Sequence, residues 1–386
     1  MSNMPKLRFK EFNDEWELKK LELLCSKISD GIHSTPVYDE NGEYYFINGN
    51  NLKKGVIILD EKTKRVSKEE YQKHFRELNN TTILMSINGT IGNIAFYNNE
   101  KAMLGKSACY ININDNKTNK YFISNQVSST KIQYYYISEL TGSTIKNLSL
   151  KTIKNTPINL PSKQEQEKIA SFLNQVDTKI EQLTKKEKLL QQYKKGVMQK
   201  IFNQEIRFQA DDGSEFCDWE EKRLKEVLDY EQPTKYIVES TEYNGNYNTP
   251  VLTAGKTFIL GYTNEENGIY TNSPVIIFDD FTTANHYVDF DFKVKSSAMK
   301  LLKEKNENIC LKFVYEFIQK LHFPIGEHKR YWISEYSYLK IKLPCLEEQN
   351  KIANFLSSID TKIEQTQKQL EKTKEFKKAL LQQMFV

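Results

Sequence analysis

The sequence predicts an α+β protein: two globular segments of mixed α/β structure, each followed by one long helix. The two helices pair as an antiparallel coiled coil about a pseudo-two-fold internal repeat. Three observations predict this. One stretch occurs twice, each copy runs without a gap into a heptad pattern, and each is preceded by a sizeable segment of short strands and turns. The boundaries read as a first globular domain over 1–160, a central helix over 161–205, a second globular domain over 206–343 and a C-terminal helix over 344–386.

The repeated stretch is Leu160-Pro161-Ser162-Lys163-Gln164-Glu165-Gln166-Glu167-Lys168-Ile169-Ala170-Ser171-Phe172-Leu173, which returns as Leu343-Pro344-Cys345-Leu346-Glu347-Glu348-Gln349-Asn350-Lys351-Ile352-Ala353-Asn354-Phe355-Leu356. The offset of 183 residues holds through Asp177 and Asp360 to Phe202 and Phe385. Each copy is therefore one element, longer than most globular helices and roughly 60 Å long at about 1.5 Å per residue. Ile169, Val176, Leu183, Leu190 and Val197 recur every seven residues, with Phe172, Leu173, Ile180, Tyr193, Ile201 and Phe202 widening the stripe. That is a heptad seam, and it needs a partner helix. The second copy carries Ile352, Phe355, Leu356, Ile359, Ile363, Leu370, Phe376, Leu380, Leu381 and Met384, with Thr366 and Thr373 where the first has Leu183 and Leu190. Its middle is less apolar. A proline precedes each helix, and Ser162 with Glu165 has the spacing of a capping box, which Cys345 weakens in the second copy.

The globular segments open alike, Leu7-Arg8-Phe9 before Trp16 and Leu21, and Ile206-Arg207-Phe208 before Trp219 and Leu224. In the first, strands are expected at Tyr44 to Ile47, Val56 to Leu59, Thr82 to Ile87 and Ile94 to Tyr97, and one helix over 121–138. In the second, strands are expected at Val251-Leu252, Val275 to Phe278 and Tyr338 to Leu343, and a helix from Ile309 to Leu321.

Net charge is only +4, spread as +5, +3, −5 and +1 over the four segments in order. A nonspecific polyanion binder would be far more basic, so any nucleic-acid contact must use local patches and shape. The five cysteines are scattered and odd in number, with no C-x-x-C spacing, which argues against a disulfide framework or a zinc site and for a reducing, cytoplasmic setting. No apolar run approaches a membrane span and the first ten residues are too polar for a signal peptide.

Catalytic patterns fail on inspection. Gly255-Lys256-Thr257 ahead of Val275 to Asp280 mimics a phosphate-binding loop, but Pro250 stands where the loop requires its first glycine. Asp280 with Asp291 and Lys293 matches the loose Asp…Asp-x-Lys pattern of magnesium-dependent nucleases, yet in one half only. That nuclease is one alternative reading; a non-catalytic coiled-coil scaffold is another. No glycine-rich methyl-donor loop or Asn-Pro-Pro-Tyr segment is present, and His33, His74, His286, His322 and His328 show no ligand spacing, so no metal is expected. What remains is readout chemistry on loops: His33, Ser34, Lys53, Lys54, Lys64, Arg65, Lys256, Thr282, Thr283, Asn285, His286, Lys329 and Arg330 are the candidate DNA contacts.

The doubled Leu-Pro-x-x-x-Glu-Gln-x-Lys-Ile-Ala-x-Phe-Leu with its Asp-Thr-Lys-Ile-Glu continuation resembles the central and distal regions of specificity (S) subunits of type I restriction-modification systems. The segments Asp30-Gly31-Ile32-His33-Ser34-Thr35-Pro36, Thr141-Gly142-Ser143-Thr144-Ile145, Pro250 to Thr257 and Phe278 to Thr283 resemble parts of that family's target recognition domains. The resemblance implies a non-catalytic subunit in which each globular domain reads half of a bipartite, asymmetric DNA target. The helix pair would set the spacing and dock two methyltransferase subunits. It implies no cofactor on this chain: S-adenosylmethionine, ATP and Mg²⁺ would belong to the methyltransferase and restriction subunits.

Overall fold

The computed structural model describes residues 4–142, 146–255, 257–321, 323 and 330–385. Ser143 to Ile145, Lys256, His322, His328 and Lys329 lie outside these. The chain forms two compact units, of which only the second is a continuous stretch. The first comprises Met1–Thr184 with Lys368–Val386, the second Lys185–Gln367.

In the first unit Glu17–Lys20 pairs antiparallel with Pro157–Leu160, tying the entering strand to the strand that leads into the first long helix, Lys163–Phe202. A four-stranded antiparallel sheet runs Cys25–Asp30, Ala108–Ile113, Thr82–Ser86, Ile94–Phe96. Beside it Tyr44–Ile47 pairs antiparallel with Arg65–Val66 and parallel with Ala102–Leu104. Cys25–Asp30 escapes sequence reading because it is an edge strand with one fully buried residue, Ile28, too weak an alternation to register. The helix expected over 121–138 is two, Lys120–Val127 and Thr130–Ser138, because Ser129 starts a new helix by accepting a hydrogen bond from the Ile132 N–H.

The second unit repeats this topology. Glu220–Arg223 pairs with Lys340–Leu343, the antiparallel sheet runs Leu228–Glu231, Met299–Glu304, Val275–Asp279, Asn285–Val288, and Thr249–Leu252 pairs antiparallel with Ile259–Thr263 and parallel with Lys293–Val294. Helix Leu311–Lys320 covers the core, and the expected strand over 338–343 starts only at Lys340, since Tyr336–Tyr338 forms a 3-10 turn.

Each core is closed by the far end of the other repeat's helix. The first buries Leu380, Met384 and Phe385, from the second long helix Leu346–Met384 and the residue after it, against Trp16 and Phe122. The second buries Met198, Ile201 and Phe202 against Phe313, which also meets Trp219. Thus Trp16, Phe122 and Phe385 in one unit match Trp219, Phe313 and Phe202 in the other. This is the physical reason the repeat runs without a gap to its last aromatic.

Within each unit the helix segments run antiparallel. In the first, the Lys377 ammonium sits 2.5 Å from Asp177; in the second, Lys194 sits 2.7 Å from Asp360 and Gln367 donates to Glu187 at 2.8 Å. Ile169, Val176, Leu183, Leu370 and Leu380 are buried in the first unit. Ile352 and Ile359 are buried in the second, with Leu190, Val197 and Ile363 half-buried. Thr366 is buried too, and its hydroxyl donates to the Lys362 carbonyl, so a polar residue occupies the seam without an orphaned group. Two stripe residues are misplaced by periodicity: Tyr193 and Phe376 are 54% and 51% exposed. They lie just off the seam, where seven-residue spacing no longer matches a 3.6-residue turn.

The repeated Glu-Gln pair locks each helix onto its domain. Ser162 accepts a long bond from the Glu165 N–H, but the Glu165 carboxylate does not return to close a capping box; it takes two 2.7 Å bonds from Arg8. Glu348 likewise takes bonds from Arg207 at 3.3 and 2.8 Å and from the Trp219 indole at 3.0 Å. Gln166 donates to the Pro161 carbonyl and accepts from Thr118 and the Asn119 N–H; Gln349 donates to Pro344 and accepts from the Cys310 N–H. Phe9 packs on Phe172 and Phe208 on Phe355. The doubled motif is therefore a clamp between helix and domain, with both carboxylates and both carboxamides hydrogen-bonded.

Candidate nucleic-acid interface

In the first unit the candidate residues fall on separate loops. Asp30-Gly31-Ile32 follows an edge strand and lies against Leu104-Gly105: Ile32 N–H donates to the Leu104 carbonyl at 2.8 Å, and a Cβ on Gly31 would stand 2.0 Å from that oxygen. Only glycine fits. The chain then turns outward, placing His33, exposed and 2.9 Å from Asp30, and Ser34 in solvent. Arg76 donates from below to the Asp30 carbonyl, a support that sequence reading missed. Lys53 and Lys54 sit on the exposed hairpin of Leu52–Lys53 and Val56–Ile57, with Lys54 in the left-handed region at φ 50°. Lys64 lies 4.1 Å over the Tyr38 ring; Arg65 lies 4.6 Å over Tyr45 and donates to its hydroxyl at 2.9 Å. Stacking on a ring restrains a cation while leaving donors free for a phosphate.

The second unit gathers its candidates more closely. Asp279 accepts from the Phe281 and Thr282 N–H groups at 2.9 and 2.8 Å, a turn that carries Thr282 outward and puts Thr283 in the left-handed region at φ 55°. Asn285 donates to the Thr283 carbonyl and accepts from Gln319 at 2.5 Å. His286 stacks on Phe258 with centroids 4.3 Å apart, and burial holds its imidazole below the ordinary value against the pull of the Gly255 and Ala254 backbone. It is neutral at pH 7, so it offers one donor and one acceptor and no charge. Arg330 is exposed next to Tyr331, whose N–H donates to the Asp280 carbonyl at 2.8 Å.

Asp280, Asp291 and Lys293 do not assemble a nuclease site. Asp280 is buried, accepts from the Trp332 N–H at 2.8 Å and lies 3.5 Å from Lys300. Lys293 is buried 2.6 Å from Glu265 and donates to the Asn267 carbonyl, while Asp291 is exposed. The three residues of the loose motif are thus two packing pairs and a surface acid. Among the described residues no three His, Cys, Asp or Glu side chains group as metal ligands, and no helix is long and apolar enough to cross a membrane.

The tie between Tyr331 and Asp280 has a counterpart. Leu148 N–H donates to the Ile87 carbonyl at 2.9 Å, placing Asn147 where the second unit has Arg330. In the sequence the 183-residue offset relates Lys146 and Asn147 to Lys329 and Arg330, the signal that should have added Lys146 to the candidates.

Known proteins resemble the chain over its whole length. The family described as type I restriction modification DNA specificity domain matches residues 13–191 and 217–374. The Escherichia coli type I restriction enzyme EcoR124I/EcoR124II specificity subunit is 55% identical over 141 residues, 35% of this chain and 35% of that protein, so the match spans about a third of that relative. A putative type I restriction enzyme MjaX specificity subunit of Methanocaldococcus jannaschii is 26% identical over 98% of this chain and 95% of its own. The crystal structure of a type I restriction-modification S subunit from M. genitalium has a TM-score of 0.68 over 99% of both chains at 18% identity, a likeness of fold.

Proposed function

Because the chain belongs to the type I restriction modification DNA specificity family, we propose that each of its two units reads one half of a bipartite, asymmetric site in double-stranded DNA. The chain is the specificity subunit of such a system and is not itself the catalyst. The observation that carries the proposal is the duplicated topology: one sheet-and-loop unit built twice on the same two continuous helices, each with polar and cationic loops at its surface. A unit built twice with different loop residues suits a target whose halves differ.

Chemistry then belongs to partners. Two methyltransferase subunits, holding S-adenosylmethionine, and restriction subunits, holding ATP and Mg²⁺, complete the assembly. Support for a partner present in two copies comes from Tyr193 and Phe376, the half-exposed aromatics that occupy one position of the repeat, each with a small residue, Gly196 or Ala379, three places on. Each unit thus presents the same aromatic knob on a long helix.

The helices set the gap between half-sites. At about 1.5 Å per residue against about 3.4 Å per base pair, four residues added to both helices lengthen the tolerated gap by one or two base pairs. Long-read methylation profiling of a host carrying the chain with its partners tests the whole reading. Replacing residues 206–343 with a relative's should change one half-site and spare the other; a change in both, or in neither, overturns it.

A further inference from the structure

The first unit has a second set of polar loops, absent from the candidates above, and the backbone staples them together at one end of its four-stranded sheet. The loop after Thr82–Ser86 is bridged at Asn88 to Asn147, and the Gly89 N–H donates to the Lys146 carbonyl at 3.1 Å. The turn before Ala108–Ile113 joins them: the Ile87 N–H donates to the Ser107 carbonyl at 3.0 Å, and the Asn88 amide reaches the Lys106 carbonyl at 3.4 Å. Ser107 in turn donates to Asn48 at 2.8 Å and accepts from the Gly49 N–H. Four chain segments, around residues 48, 88, 106 and 146, therefore share one rim.

That rim presents Asn88, Lys106 and Lys146. Both lysines are exposed, and no anionic partner holds either among the described residues. Lys64 and Arg65, by contrast, are braced on rings. Gly89, at φ 71°, has open space where a Cβ would stand, so a bulky ligand can approach the backbone beside Asn88. The second unit's equivalent edge, defined by the tie of Tyr331 to Asp280, is where Thr282, Thr283 and Arg330 sit.

From this geometry we infer that Asn88 contacts a base edge and that Lys106 and Lys146 grip the flanking phosphates in the half-site read by the first unit. This rests on the function proposed above and assigns residues to it. A carboxamide pairs in two places with an adenine edge, and such a pair discriminates against the wrong base by about 1–3 kcal/mol. Paired lysines on either side add affinity without sequence preference. The weak Asn88 bond to Lys106, at 3.4 Å, is readily exchanged for one to a base.

The test uses the intact complex with its partner subunits. Asn88→Ala should lower binding to the native target roughly 10- to 100-fold and relax one position of one half-site in the methylation profile, leaving the other half-site unchanged. Lys106→Ala and Lys146→Ala should weaken binding to target and non-target duplexes alike and each reduce the slope of log affinity against log salt by about one. Lys106→Arg and Lys146→Arg restore that slope, which a folding defect would not allow. Unchanged motif, affinity and salt slope in all three alanine variants overturn the inference. The exchange of residues 206–343 judges the parent proposal separately: if it still changes one half-site, that proposal stands while this one falls.

Discussion

At matching places in their sheets the two units bury opposite chemistries. Ser86 lies opposite Ala108 in the first unit and Asp279 opposite Met299 in the second, so the next residues correspond: Ile87 and Cys109 against Asp280 and Lys300. All four are buried. The short helix on the core differs in the same sense. Asn119 and Cys310 donate to the matching glutamines Gln166 and Gln349, which aligns Asn125 with Glu316. Asn125 is neutral and donates to the Tyr121 carbonyl; Glu316 is fully buried, 2.8 Å from Lys194 and 3.7 Å from Lys312. One topology thus accepts either an apolar or an ionic interior, provided each charge meets its opposite. The nuclease-like spacing of Asp280 and Lys293 is a record of such packing pairs.

The largest effect should come from the exchanged helix ends. Phe385→Ala is expected to cost about 3–5 kcal/mol in the first unit and Phe202→Ala as much in the second, a large part of the 5–15 kcal/mol typical of a folded domain. Hydrogen exchange in Thr82–Ser86 and Val275–Asp279 reads the two units apart. If Phe385→Ala loosened Val275–Asp279 and spared Thr82–Ser86, the assignment of helix ends to cores would be wrong.

Breaking the second unit's ion pair comes next. Asp280→Ala leaves Lys300 buried without its carboxylate and should cost about 3–5 kcal/mol, whereas Asp280→Asn with Lys300→Met, which keeps an acceptor for the Trp332 N–H and copies the neutral interior of the first unit, should be neutral or stabilising. Urea unfolding of both variants checks this; a double variant as unstable as the single one would show that the charges themselves are required.

The seam gives a smaller contrast at one repeated position. Leu183→Ala should cost about 2–5 kcal/mol, while Thr366→Val at its counterpart should change stability by less than about 1 kcal/mol, because the threonine hydroxyl satisfies only its own helix backbone. Equal costs in thermal melts would mean that the seam is packed alike in both units.

The smallest effect is a pH dependence confined to the second unit. Burial raises the Glu316 carboxyl above its ordinary value, with Lys194 opposing. Folding therefore takes up a proton there: the contribution to stability is full below the unfolded value of about 4.3 and is lost as pH rises through the raised folded value. Glu316→Gln should flatten that decline in a series of melts against pH, and Asn125→Gln in the first unit should leave it unaltered. A Glu316→Gln protein that melted lower at every pH would show instead that attraction between the ionised carboxylate and Lys194 outweighs the cost of burying it.

The amino-acid sequence by itself determined the duplicated plan. Heptad spacing identified both long helices, and the constant offset made them equivalent, because a 3.5-residue hydrophobic period over forty residues has few other solutions. Continuous apolar runs located the central strands such as Thr82–Ser86 and Val275–Asp279, but edge strands such as Cys25–Asp30 carried too little buried surface to announce themselves. What only the tertiary structure decided was who partners whom. Phe385 closes a core that begins at Trp16, Glu165 serves Arg8 rather than its own helix cap, and Asp280 neutralises Lys300. Loop residues at the surface were legible only as types: that Asn88, Lys106 and Lys146 share one rim follows from backbone bonds between distant segments. Periodicity reports the face a residue turns inward, whereas pairing between residues of separate elements depends on the folded path of the chain, which no local pattern encodes.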